Sequence, residues 1–184
     1  TTHSSTPVVV SLPILRTAVS LSAGGVNTCA IMDDASAYCW GYNGDGQLGD
    51  GTTTDRHTPV AVNLPVGRTA TSLSAGSYHT CAIMDDDSLY CWGQNSDGQL
   101  GDGTTTRSIT PVAVNLPSGR TASSVSAGDR WTCAILDDGS AYCWGSNLYG
   151  RLGDGTTTDR STPVAVDLPA GRTATNLSMG NAHT

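Results

Sequence analysis

Short apolar segments separated by polar, glycine-rich stretches recur along the chain, four to each unit. In the first unit they are Leu21–Gly24, Thr28–Ile31, Ser36–Gly41 and Thr58–Val62. Short runs of this kind, bounded by Gly, Asp and Pro, are typical of β-strands joined by turns. Pro59 cannot donate to a ladder, so it should begin a strand or lie on a sheet edge. The pattern therefore predicts four short strands per unit.

The units follow one another at a constant spacing. Cys29, Cys81 and Cys133 lie 52 residues apart, without insertions. This period is near that of propeller blades, and it allows about 13 residues for each strand and its turn. We therefore predict an all-β chain of propeller blades, each of four antiparallel strands, in a single segment of about three and a half repeats. The segment is 1–184, with equivalent cores at 21–62, 73–114 and 125–166 and a partial copy from 177.

Composition and charge narrow this picture. The chain has 22 Gly and 8 Pro, every basic residue is Arg and every acidic one is Asp, so the helix formers Lys and Glu are absent. The formal charge of −7 argues against a nucleic-acid partner, which needs a positive footprint. No apolar run approaches the roughly 20 residues of a membrane span, which argues against membrane insertion. No signal peptide is visible, and a first residue other than Met fits a processed or truncated chain.

Six cysteines form three pairs with members ten residues apart. The spacing does not fit a zinc site, and three equivalent copies argue against a catalytic thiol. A two-residue turn at Asp34-Ala35 would place the two cysteines on opposite faces of the hairpin. A three-residue turn with a bulge would place Cys29 opposite Cys39, and Gly139 suits the left-handed position of that turn.

With the three-residue turn, each pair can form a disulfide. We predict disulfides between the following partners: Cys29 and Cys39, Cys81 and Cys91, Cys133 and Cys143. Such bonds persist only outside the reducing cytosol, so they favour an extracellular or cell-surface protein. The alternative is that the cysteines are buried free thiols that pack as small apolar groups.

The repeated motifs are similar to a known family. Leu-Ser-Ala-Gly, Thr-Cys-Ala, Tyr-Cys-Trp-Gly, Gly-Gln-Leu-Gly and Thr-Pro-Val resemble the regulator of chromosome condensation repeat, most clearly in 74–114. The resemblance implies propeller blades, typically seven around a central channel. It also implies action by protein–protein recognition, as in nucleotide exchange on a small GTPase or in secreted bacterial members that include a β-lactamase inhibitor. The acidic charge and the paired cysteines fit the secreted bacterial type.

No catalytic set emerges from the sequence, and no cofactor or metal is predicted. The four histidines lie at scattered positions of the repeat. Paired carboxylates such as Asp33-Asp34 occupy the predicted hairpin turn, where backbone geometry favours Asp. The loop from Asn43 to Asp50 leaves a calcium site open as an alternative. The third copy, however, has Leu148-Tyr149 where the others carry Asp, and no Glu is present.

A few positions vary between otherwise similar copies. They follow the Ser-Ala-Gly turn and the Trp-Gly pair, at predicted loops, which carry binding on rigid scaffolds. Among them are the residue types that dominate interface hot spots. The predicted binding residues are Tyr78, His79, Arg130, Trp131, Tyr149 and Arg151. The alternative is neutral variation at exposed sites.

The chain amounts to three units plus 28 residues, so that 1–28 and 157–184 represent the same part of the unit. The chain would then be a segment of a longer repeat protein, one subunit of a ring, or one subunit of an open array. We expect it not to be a stable monomer. The sequence favours a non-enzymatic extracellular module that binds a protein or cell-surface partner. The alternatives are a structural subunit that self-associates and, by family analogy, exchange or inhibitor activity.

Overall fold

The computed structural model describes Thr6 and residues 8–179. This part of the chain forms β-strands and no helix. The strands are β1 (Ala18–Ala23), β2 (Asn27–Met32), β3 (Ala37–Gly41), β4 (Arg56–Ala61), β5 (Ala70–Ala75), β6 (His79–Met84), β7 (Leu89–Gly93), β8 (Ser108–Ala113), β9 (Ala122–Ala127), β10 (Trp131–Leu136), β11 (Ala141–Gly145) and β12 (Arg160–Ala165). Within these residues, accordingly, no helix is long and apolar enough to cross a membrane.

The strands form three antiparallel sheets of four, which we call blades 1, 2 and 3. Within each blade the spatial order follows the chain, as in β1-β2-β3-β4. The first strands β1, β5 and β9 contact one another in succession and form the inner side of the array. The fourth strand of each blade is the outer edge, and Pro59 lies there in β4, as predicted. The predicted all-β propeller architecture is confirmed.

The second and third strands of each blade form a hairpin with a three-residue turn. The amide of Met32 donates to the carbonyl of Ser36 at 2.9 Å, and the last turn residue is left-handed in every copy. That residue is Ala35 or Asp87 (both φ +62°) or Gly139 (φ +78°). The turn sets the register that places Cys29 opposite Cys39.

Disulfides close all three hairpins. They join Cys29 to Cys39, Cys81 to Cys91 and Cys133 to Cys143, with Cα atoms 4.0–4.1 Å apart. Facing residues approach this closely where they do not exchange backbone hydrogen bonds. The six cysteines are buried, and the pairs are those expected from the sequence.

The core lies between blades rather than within one. In the first cluster, Cys29, Cys39 and Leu48 of blade 1 pack with Leu73 and Trp92 of blade 2. The second junction repeats the arrangement one unit further on, with Trp144 in the place of Trp92. Each blade is therefore stabilised by burying an apolar face against its neighbour.

The two ends of the array differ in what covers them. Leu21 of β1 is 66% exposed, whereas its counterpart Leu73 is 9% exposed. After blade 3, Leu177 and Met179 pack on the face of that blade that points away from blade 2. The partial copy there follows the course of the first strand of a blade. The outermost residues of the duplicated ends, 1–5, 7 and 180–184, lie outside the described residues.

Candidate interaction face

Two sets of loops meet at one face of the array, which we call the variable face. They are the β1–β2 turn with its counterparts and the long β3–β4 loop with its counterparts. Backbone hydrogen bonds join the two sets in every blade: the amides of Tyr42, Gln94 and Ser146 donate to the carbonyls of Val26, Tyr78 and Arg130. The residues that vary between copies are thus held side by side.

A buried asparagine fixes each long loop. The side-chain amide of Asn43 donates to the carbonyls of Thr52 and Thr54 at 3.1 Å, and its oxygen accepts from the amide of Leu48 at 3.0 Å. Asn95 and Asn147 occupy the same place, also fully buried. Because one buried side chain holds three backbone groups of the loop, each loop is fixed as part of the scaffold.

An aspartate in each loop completes this network. Burial opposes ionisation of Asp154, but hydrogen bonds from Thr156 and Arg160 outweigh it and lower the pKa of Asp154 to about 2. Asp50 pairs in the same way with Arg56, at 2.7 Å. Of the carboxylates that the calcium alternative would use, Asp50 accepts hydrogen bonds from Thr52 and Arg56, and Asp102 accepts one from Thr104. Among the described residues, no group of three or more His, Cys, Asp or Glu side chains is arranged to hold a metal ion.

Four of the six predicted binding residues lie at the variable face. Tyr149 is 74% exposed, the side chain of Arg130 is 53% exposed, and Tyr78 and Arg151 are half-buried. Arg130 also reaches across a junction, with its Nη1 3.9 Å from Asp97 Oδ2 of blade 2. The guanidinium carbon of Arg151 lies 5.3 Å from the centre of the Tyr149 ring.

The other two, His79 and Trp131, are not exposed loop residues. Each is the first residue of the second strand of its blade and is fully buried. The loop assignment of these two residues is therefore wrong. Trp131 lies beneath Arg151, whose guanidinium carbon is 4.5 Å from the ring centre, so it supports the face from below.

The position shared by Asn27, His79 and Trp131 faces the next unit of the array, which is a blade for the first two and the partial copy for Trp131. Asn27 Nδ2 donates to Thr80 Oγ1 of the next blade at 3.2 Å, and Thr80 Oγ1 donates to the carbonyl of Gln47 at 2.9 Å. The same carbonyl accepts the indole N–H of Trp92 at 3.0 Å. The sequence carried a signal for this, because each of these positions lies two residues before a buried cysteine and so on the same strand face.

Exposed apolar residues outside the predicted set enlarge the face. Leu148 is 63% exposed, Tyr42 43% and Val26 39%. All three lie at positions that vary between copies. Their variation was visible in the sequence, but their exposure depends on the packing of neighbouring loops.

Comparison with known proteins identifies the repeat. A model of the regulator of chromosome condensation (RCC1) repeat matches residues 34–83, 86–135 and 138–184, most of the chain. A second model of the same repeat matches residues 18–47, 70–99 and 122–151. The chain belongs to the RCC1 repeat family.

Curated RCC1-repeat relatives are longer than this chain. The ultraviolet-B receptor UVR8 of Arabidopsis thaliana is 34% identical over 164 residues, which are 89% of this chain and 37% of the receptor. The E3 ubiquitin-protein ligase HERC2 of Homo sapiens is 27% identical over 166 residues, which are 90% of this chain and 3% of the ligase. The chain thus spans less than two fifths of the length of either relative.

Two solved structures agree in fold with this chain. Prp20p of Saccharomyces cerevisiae superposes with a TM-score of 0.74 at 23% identity, over 84% of this chain and 39% of that one. The ectodomain of the receptor kinase CR4 of Physcomitrella patens gives a TM-score of 0.55 at 23% identity, over 90% and 37% of the two chains. At this identity the likeness establishes the fold alone.

Proposed function

We propose that this chain is a non-catalytic recognition module that binds a protein partner through the variable face. The observation that carries the proposal is the cluster on blade 3, where Leu148, Tyr149 and Arg130 are exposed on loops that the scaffold holds in place. Exposed aromatic and Arg side chains on a rigid frame lose little conformational freedom on binding, which favours a binding surface.

The relatives support a binding role. Yeast RCC1 (Prp20) was solved bound to Kap60, and its structure is described together with its binding to Gsp1p and histones. Those partners belong to the yeast protein. What this chain shares with it is the blade scaffold, on which the exposed loop residues select the partner.

The test compares three variants as immobilised bait for extracts of the source organism. Tyr149→Ala and Arg130→Ala remove exposed side chains from the variable face, whereas Val66→Ala changes a fully exposed residue of the β4–β5 loop. We expect each of the two face variants to recover at least about tenfold less of a specific partner than the wild type does. The control variant should recover the same amount as the wild type. Equal recovery by all three would overturn the proposal. Trp131→Ala is unsuitable, because it would leave a cavity at the buried junction.

We further propose that the module works outside the cytosol. Three buried disulfides in 184 residues support this, because such bonds form and persist in oxidising compartments. The measurement is thiol alkylation and intact mass of the protein taken from its natural source. We expect no thiol to react without a reductant, and six alkylated cysteines would contradict the proposal.

A second candidate function is self-association through the incoming face of blade 1, which is the face that points away from blade 2. The exposure of Leu21, whose counterpart Leu73 is covered by a neighbouring blade, supports it. Light scattering over a concentration series tests this idea. A monomer mass at every concentration would exclude it.

A further inference from the structure

A buried histidine lies at the junction between blades 2 and 3. His79 is fully buried, and its Nε2 lies 2.8 Å from Thr132 Oγ1 of blade 3. The Thr132 hydroxyl donates its own proton to the carbonyl of Gln99 at 2.8 Å, so it can only accept from His79. Nε2 therefore carries a proton, and the buried Nδ1, where a second proton would go, has no hydrogen-bond partner.

The first junction has the same geometry without a titratable group. There Asn27 donates to Thr80, which donates to the carbonyl of Gln47. Asn27 and His79 thus supply the same hydrogen bond at successive junctions, but only the histidine changes charge between neutral and mildly acidic pH.

The groups around His79 would only weakly stabilise the positive charge that a second proton adds to its ring. The β5–β6 turn contributes Gly76, β10 contributes Thr132, and the β9–β10 turn contributes Asp129. Burial lowers the pKa of His79 to about 4, and the Asp129 carboxylate opposes this shift only in part. Arg130 Nε lies 3.9 Å from the same carboxylate.

We propose that the junction between blades 2 and 3 is an acid-sensitive hinge that opens when Nδ1 of His79 takes up a proton. The proton adds a charge at a buried nitrogen that has no acceptor, so the imidazolium is more stable with the junction open and hydrated. The closed junction is fully stable above the unfolded pKa of 6.5 and loses stability as the pH falls from there towards about 4. The opening constant should rise by up to about tenfold per pH unit in that window.

The test is hydrogen exchange of backbone amides between pH 7 and pH 4.5, corrected for the intrinsic exchange rate. We expect the opening constant of β10 amides to rise in the wild type and to stay nearly flat in His79→Asn, which installs the side chain of the first junction. The reciprocal variant Asn27→His should create a new rise, of up to about tenfold per pH unit, in β6 amides. His57→Asn changes an exposed histidine of β4 and should behave as the wild type does.

Two outcomes would overturn the hinge: the same pH dependence in wild type and His79→Asn, or no new rise in Asn27→His. If His79→Asn does not fold, the Asn27→His comparison decides, since a pH-dependent opening gained at the first junction supports the mechanism and its absence refutes it. The contact between Arg130 and Asp97 spans the same junction, so opening would also disturb the variable face. That consequence rests on the proposed function, but the exchange experiment needs no partner and stands or falls separately.

Discussion

At the scale of single residues, glycine lets one blade lie flat on the next. Gly49 and Gly101 have left-handed backbones, with φ of +70° at both. A Cβ at Gly101 would lie 2.6 Å from Nε1 of Trp144, whose indole N–H donates to the carbonyl of Gln99 at 2.9 Å. The glycine thus allows both the buried ring and its hydrogen bond.

We expect Gly101→Ala to destabilise the fold more than Gly119→Ala does. Gly119 has a similar φ of +74° but no atom within 4 Å of an added Cβ, so its variant bears only the backbone cost of about 1–2 kcal/mol. Gly101→Ala bears the same cost and a further ~1–3 kcal/mol from overlap with the Trp144 ring. Urea unfolding of both variants measures the difference. Equal losses would show that the loop moves away from the ring without penalty.

At the scale of elements, the hairpin was predictable because one copy reveals its turn. The spacing of the cysteines allows a two- or a three-residue turn, and these place the side chains on different faces. Gly139 suits the left-handed position of the longer turn, and the structure puts Ala35 and Asp87 there too. Because the spacing is the same in every copy, the same strand register, and the disulfide that it allows, are predicted for the other two hairpins.

Sequence comparison assigns the first residue of the second strand in each blade to an exposed loop. This assignment fails because residues vary between copies for two different reasons. Tyr149 varies on an exposed loop, whereas His79 varies where blade 2 meets blade 3, and Trp131 varies at the corresponding buried position of blade 3. Comparing copies cannot separate the two cases. The strand period adds only that these two residues share a strand face with Cys81 and Cys133. Whether a neighbouring blade covers that face is a tertiary fact, which the period alone does not give.

At the scale of the whole molecule, equivalent residues differ in burial according to their neighbours. Trp92 and Trp144 are fully buried, whereas Trp40 of blade 1 is only partly so. Leu21 and Leu73 show the same contrast. A repeat array is stabilised by its interfaces, so the cost of a substitution should follow the blade in which it lies.

We therefore expect Leu73→Ala to lower the free energy of unfolding by about 2–5 kcal/mol and Leu21→Ala to lower it by less than about 1 kcal/mol. The first change opens a cavity between blades 1 and 2, while the second removes a side chain that is already 66% exposed. Guanidinium unfolding at low and high protein concentration measures both. A large loss for Leu21→Ala that grows with concentration would mean that another copy covers blade 1, as self-association requires. A loss equal to that of Leu73→Ala and independent of concentration would contradict the exposed incoming face itself.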